Sequence, residues 1–154
     1  MEARSGSDLA VRLTRLPGHD DLPVPSYATE GAAGADLYAA VAAPVTLEPG
    51  DRDLIPTGIR LALPAGYEGQ IRPRSGKALR EGLTLLNSPG TVDADYRGEI
   101  RVLVINLGRE PVVIRRGDRI AQMIVSPVAR VVFQETAMLP DTERGDGGFG
   151  HTGE

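Results

Sequence analysis

At 154 residues with a formal net charge of −4, the chain has the length of one domain with one core, and its acidic balance argues against broad nucleic-acid binding. The absence of cysteine removes disulfides, thiol nucleophiles and cysteine-based zinc sites. With only His19 and His151, a multi-histidine metal centre within one chain is also excluded. A content of 19 Gly and 12 Pro, with aromatics at 4%, favours many short strands and turns around a core of Val, Ile, Leu and Ala.

Residues 1–8 are polar and read as loose. The alternation of Leu9, Val11 and Leu13 with Ala10, Arg12 and Thr14 predicts a strand over Leu9–Leu16 with one buried face. Residues 17–26 are rich in Pro and Asp, an irregular connection. Gly31–Ala40 (GAAGADLYAA) sets small residues around one acid, Asp36, and so permits close backbone approach to a strand or to a ligand. Val45–Leu47, the turn Glu48–Asp51 and Arg52–Ile55 predict a hairpin. Gly58–Leu63 and Tyr67–Ile71 predict further strands.

Ser75–Glu81 (SGKALRE) is the one helix candidate, with Ser75 placed to cap it and Gly82 to end it. The stretch Asn87–Ile100 (NSPGTVDADYRGEI) combines turn residues with β-branched ones and predicts a hairpin. Glu99–Leu107 is the most apolar strand, followed by strands over Pro111–Arg115, Arg119–Ser126 and Pro127–Gln134. Short strands at short spacing indicate an all-β sandwich or a barrel-like jelly roll. Leu139–Glu154 carries five Gly and little apolar content; it cannot offset its own ordering entropy and is expected to be mobile when free.

Several stretches carry more chemistry than a fold requires. The tip of the Asn87–Ile100 segment presents an amide, the carboxylates Asp93 and Asp95, and the Tyr96 phenol, although Asp is also an ordinary turn residue. Pro73–Gly76 places a guanidinium and a hydroxyl at a helix start, which suits phosphate but also suits plain capping. Gly117–Gln122 is a turn leading into a strand. Arg72, Arg74, Arg80, Arg115, Arg116 and Arg119 group into local basic sites that suit a small anionic ligand. The N-terminus lacks the apolar run of a signal peptide and no stretch reaches membrane-span length, so the expected location is the cytoplasm, with no membrane or nucleic-acid partner.

Taken in order, AGADLYA (33–39), PRSG (73–76), NSPGTVDADYRGE (87–99), RGDRIAQ (116–122) and RGDGGFGHTG (144–153) closely resemble the five motifs of the trimeric deoxyuridine triphosphate nucleotidohydrolases, or dUTPases. The resemblance implies a jelly-roll-like distorted β-barrel with one short helix over residues 1–139, a flexible C-terminal lid over 140–154, and a homotrimer with shared active sites. It implies hydrolysis of dUTP to dUMP and pyrophosphate with Mg²⁺ as cofactor, which keeps uracil out of DNA and supplies dUMP.

On this resemblance Asp93 is the catalytic carboxylate that activates water for in-line attack on the α-phosphorus. Tyr96 packs against the deoxyribose and Asn87 reads the uracil edge. Arg74, Ser75, Gly76 and Gln122 hold the phosphates, and Asp36 binds a water on Mg²⁺. Arg144 clamps the outer phosphates, Phe149 covers the base, and Gly150 and Thr152 contact the γ-phosphate. Asp118 is given structural work only. Two residues depart from the motifs: His151 stands where Ser is more frequent, and Lys77 where an apolar residue is common. The rival readings are a zinc-free dCTP deaminase of the same fold and a non-catalytic regulator that binds partners through the trimer surface.

Overall fold

The structure is a computed structural model and describes residues 9–148. Eleven strands and one helix are found among them. A four-stranded sheet contains β1 (Arg12–Arg15), β5 (Arg52–Ala62), β9 (Glu99–Asn106) and β7 (Leu83–Leu85), in that order. A five-stranded sheet runs β2 (Ser26–Tyr27), β3 (Ala35–Tyr38), β11 (Arg119–Pro127), β6 (Tyr67–Arg72), β8 (Gly90–Val92). The two remaining strands, β4 (Val45–Leu47) and β10 (Val112–Ile114), pair with each other. All the pairings are antiparallel. The chain is therefore all-β with one short helix, as its composition suggests. Among the described residues its strands form separate sheets and not one continuously bonded barrel.

The core lies between the sheets and follows strand periodicity. In β9, Ile100, Val102, Val104 and Asn106 point inward while the residues between them are more exposed. Leu37, Ile71, Val92 and Ala121 of the five-stranded sheet join Ile55, Leu61, Leu83 and Ile100 of the four-stranded sheet in one cluster, closed at the end by Leu47 and Ile114. Each such aliphatic side chain contributes about 1.5–3 kcal/mol on burial. Asn106 is the polar exception, fully buried yet fully used. Its amide nitrogen donates to the carbonyls of Leu47 and Glu110, both at 2.9 Å, and its carbonyl accepts from the Gly108 amide at 2.8 Å.

Four expectations from the sequence are corrected. First, Val45–Ile55 is not a hairpin. The Glu48–Asp51 turn closes, with the Asp51 amide donating to the Glu48 carbonyl at 2.9 Å, but Asn106 takes up the Leu47 carbonyl and bonds to Gly50 and Asp51. The limbs diverge, β4 to β10 and β5 to β9. Second, Asn87–Ile100 is a crossover, because β8 pairs with β6 whereas β9 pairs with β5 and β7. Third, no strand forms over 127–134 beyond the end of β11. Pro127 stands opposite Tyr67, where β6 begins, so β11 runs past the end of its partner there, and the described residues offer no further strand. Val131, Val132 and Phe133 are left exposed, Phe133 at 94%. Fourth, Ser75 is not a cap. The helix α1 (Ser75–Glu81) starts as expected, but Arg74 is its N-cap without a side-chain bond, and Ser75 is the first helical residue.

The end of α1 is as read from the sequence. Gly82 has a φ of 70° and its amide donates to the Ala78 carbonyl. A Cβ there would also come within 2.3 Å of the Gly108 amide nitrogen. The first strand is shorter than its pattern suggested, four residues paired to β5, and β5 joins two predicted segments across a bulge between Pro56 and Arg60.

The irregular connection after β1 is held by two arginines, Arg15 donating to the Leu22 carbonyl at 3.1 Å and Arg116 making more bonds. Arg116 binds both carboxylate oxygens of Asp21, at 2.8 and 2.7 Å, and donates to the carbonyls of Gly18 and Ala40. The hydrogen bonds from Arg116 hold the Asp21 carboxyl down from 3.8 to about 2. A depressed carboxyl stabilises the fold fully above its unfolded value and loses that contribution as pH falls through its folded value. We therefore expect Asp21→Asn to lower the unfolding midpoint at neutral pH, with the difference from the parent shrinking as pH falls from 3.8 to about 2. Thermal unfolding across that range checks this, and a difference that does not change with pH would contradict it.

Candidate active site

The predicted phosphate-side residues are brought together by strand register. In β3 and β11, Asp36 stands opposite Gln122, and Gln122 also stands opposite Arg72 of β6. The chain leaves β6 through Pro73 and Arg74 into α1, so Arg74, Ser75 and Gly76 follow within a few residues. The Gln122 side-chain amide donates to the Pro73 carbonyl at 2.9 Å, which fastens this exit to the central strand. The Arg74 Nε donates to Asp36 Oδ1 at 2.9 Å, and Arg119 Nη1 donates to Asp36 Oδ2 at 3.2 Å. Asp36 is thus a buried carboxylate shared by two guanidiniums, its residue only 7% exposed. Lys77 pairs with Glu81 one helical turn on at 3.0 Å.

The base-side residues line a separate cleft of about 530 Å³, in which Asn87 and Tyr96 are set among Ile71, Leu85, Val92 and Ile100. Aliphatic walls beside the Asn87 amide suit a flat ring with a polar edge, and Thr91, Glu99 and Arg101 add polar groups to the lining. The Tyr96 hydroxyl donates to the Glu99 carbonyl at 3.0 Å and the ring lies over Gly98, where a Cβ would come within 2.3 Å of the phenol oxygen. Asp93 is exposed and lies on a different concavity, of about 650 Å³, with Asp95, Glu68 and Arg130. Asp93 shares its turn with Tyr96, whose amide donates to the Asp93 carbonyl at 3.1 Å, whereas the arginine group lies on β3, β11 and the exit from β6. Arg144 lies in the exposed C-terminal stretch, its Nε donating to the Gly147 carbonyl at 2.8 Å. Phe149, Gly150, His151 and Thr152 lie outside the described residues.

Three further residues shape this region. Arg119, in the sequence one of a basic group, holds the second carboxylate oxygen of Asp36. Arg97 ties down the Asp93–Tyr96 turn by donating to the carbonyls of Ala94 and Tyr96 at 2.7 and 2.8 Å. Gly34 lies beneath Gln122, where a Cβ would come within 2.3 Å of the amide oxygen and 3.1 Å of the Gln122 Cβ. Small residues before Asp36 did signal a close approach, and its object proves to be a neighbouring side chain. Asp118 does close its turn, its Oδ2 accepting from the Arg115 amide at 2.8 Å.

As to metal, no group of three or more His, Asp or Glu able to hold an ion is found among the described residues. Asp36 is a lone carboxylate, and each of its oxygens accepts one guanidinium bond, which leaves each a lone pair. That donor set fits a magnesium ion held through water, with other ligands from a bound phosphate chain. It does not fit an all-protein cage.

The family model described as dUTPase matches residues 20–153. The chain belongs to the dUTPase family. Among curated relatives, the deoxyuridine 5'-triphosphate nucleotidohydrolase of Caldanaerobacter subterraneus subsp. tengcongensis is 58% identical over 145 residues, covering 94% of this chain and 98% of that protein. The protein of the same name from Methylocella silvestris is 57% identical, covering 94% of this chain and 92% of its own. Among solved structures, the dUTPase of Staphylococcus bacteriophage 80alpha with dUPNHPP superposes with a TM-score of 0.84 over 94% of this chain and 99% of that one. At 23% identity that likeness shows the dUTPase fold. No helix of this chain is long and apolar enough to cross a membrane among the described residues.

The contact beneath Gln122 is open to direct test. Gly34→Ala is expected to displace the Gln122 side chain from Pro73 and to cost about 1 kcal/mol of stability, at the low end for overpacking. Denaturant unfolding and the Gln122 side-chain amide resonances would record it. An unshifted amide resonance would show that the space can be found without moving Gln122.

Proposed function

We propose that the chain hydrolyses dUTP to dUMP and pyrophosphate, and that it does so as a homotrimer whose active sites are shared between subunits. The observation that carries the activity is the match to curated deoxyuridine 5'-triphosphate nucleotidohydrolases at 54–58% identity over nearly the whole chain. The residue roles are supported by chemistry. Asp93 is an exposed carboxylate with the freedom to take a proton from water as general base, aiming it in line at the α-phosphorus. Asn87 and the backbone around it supply fixed donors and acceptors to the uracil edge, which cytosine would leave mispaired. Tyr96, held over Gly98, fills the space that a ribose 2′-hydroxyl would need.

Arg74, Ser75, Gly76 and Gln122 hold the phosphates, and the Ser75 hydroxyl, not spent on capping, is available to them. Asp36 holds magnesium through water, and the ion supplies charge neutralisation to the phosphate oxygens. Two features of the single chain support assembly. The Asn87–Tyr96 cleft and the arginine group are made by different residues, and the stretch after β11 exposes Val131, Val132 and Phe133 as an apolar strip with no strand to join among the described residues. Residues 140–154 act as a lid in this reading. Arg144 gains a phosphate partner, Phe149 covers the base, and Gly150 and Thr152 meet the γ-phosphate, so water is excluded during the chemical step.

A nucleotide panel with pyrophosphate and ammonia both measured tests the reading. We expect dUTP to give pyrophosphate, with dCTP, dTTP and UTP poorer by up to about 10⁴-fold where buried polar groups are mispaired. Asp93→Asn should lower turnover by roughly 10²-fold or more, as loss of a general base implies, without loss of nucleotide binding. Ammonia from dCTP would establish a deaminase instead, and turnover within a few-fold of the parent would reduce Asp93 to a turn residue.

A further inference from the structure

The arginine group around Asp36 contains a residue, Arg119, that in the sequence stands only as one of several grouped charges. Arg119 opens β11, and ordinary alternation would put it on the opposite face from Gln122. The register of β11 against β3 shifts between Arg119 and Ala121, so that Arg119 stands opposite Tyr38 and Ala121 opposite Leu37. An extra residue of this kind inverts the facing of everything beyond it. Burial follows the shift: Ile120 and Ala121 are both in the core, 2% and 0% exposed, although they are sequence neighbours. Arg119 is thereby turned onto the face that carries Asp36 and Gln122.

There the Asp36 carboxylate divides its two oxygens between two arginines. Arg74 commits Nε and Arg119 commits Nη1. Both terminal nitrogens of Arg74, and Nε and Nη2 of Arg119, have no partner among the described residues. Two guanidiniums side by side repel one another, and a buried carboxylate between them removes much of that cost before any ligand arrives. The Asp36 side chain is 10% exposed, against 27% for Arg74 and 50% for Arg119. The anchor is therefore inside and the free donors face outward. Planar guanidiniums fixed in this way match the oxygens of a phosphate chain, and fixing them beforehand is what makes such a clamp effective.

We propose that Arg119 is a phosphate-binding residue and that Asp36 is a positioning residue which aligns Arg74 and Arg119 as a paired clamp, independently of any metal. This rests on the reading of the ligand as a nucleoside triphosphate. Titration calorimetry of the full chain with dUMP and with the non-cleavable analogue dUpNHpp, each in EDTA and in Mg²⁺, separates the possibilities. Arg119→Gln should weaken dUpNHpp by about 10-fold or more, the worth of a charge-assisted hydrogen bond, and leave dUMP within about two-fold. Arg119→Lys should recover part of the loss, since it keeps the charge but not the planar fork. Asp36→Asn should weaken dUpNHpp in EDTA as well as in Mg²⁺.

Unchanged dUpNHpp affinity in Arg119→Gln, or an equal loss for dUMP, would overturn the role of Arg119. An Asp36→Asn effect that vanishes in EDTA would overturn the positioning role and leave Asp36 acting through the metal alone. A parent protein that binds neither nucleotide would overturn the underlying reading and this proposal together, whereas a parent that binds both beside unaffected variants would overturn this proposal only.

Discussion

The register of β11 is the constraint on which the candidate site depends. It is the central strand of the five-stranded sheet, paired with β3 on one side and β6 on the other. That position sets Gln122 opposite Asp36 and Arg72 at once and brings the exit from β6, where Arg74 lies, beside the acid in β3. A one-residue slip would move the polar set to the core and the core set to solvent. The buried Ile120, Ala121 and Met123 oppose such a slip, so the hydrophobic core itself holds the polar site in register. The bulge near Arg119 then adds one more charge to the same face.

Much of this was legible in the residues. The apolar run Glu99–Leu107 became β9 almost residue for residue, and Gly82 ends α1 in the left-handed conformation that only its lack of a side chain makes easy. The motif order indicated which segments belong together. What local pattern could not convey was partnership. Val45–Ile55 and Asn87–Ile100 both have hairpin chemistry at their turns. In the first case the deciding group was the side chain of Asn106, distant in sequence, which claims the Leu47 carbonyl. In the second, the limbs on either side of Asp93 belong to different sheets, a choice made by long-range burial. The apolar Val131–Phe133 run has strand composition but no strand to join among the described residues. Composition reports a preference for pairing and is silent on whether a partner exists.

The arginine group was the least legible part of the site. Arg119 in the sequence is one of several charges near a turn, and only the bulge distinguishes it. Gly34 and Gly98 are likewise invisible as site residues until their neighbours are known, because each matters through the side chain that lies over it, Gln122 and Tyr96 respectively. Asp93 is the converse case. It stands out in the sequence, and the structure leaves it exposed at the start of the turn that carries Tyr96.

The central claim is that water, activated by Asp93, attacks the α-phosphorus of dUTP. A single turnover in water enriched in ¹⁸O tests it at the bond that forms. The account predicts that the label enters the phosphate of dUMP and that pyrophosphate carries none. Label recovered in pyrophosphate would place the attack on the β-phosphorus and contradict the mechanism assigned to Asp93.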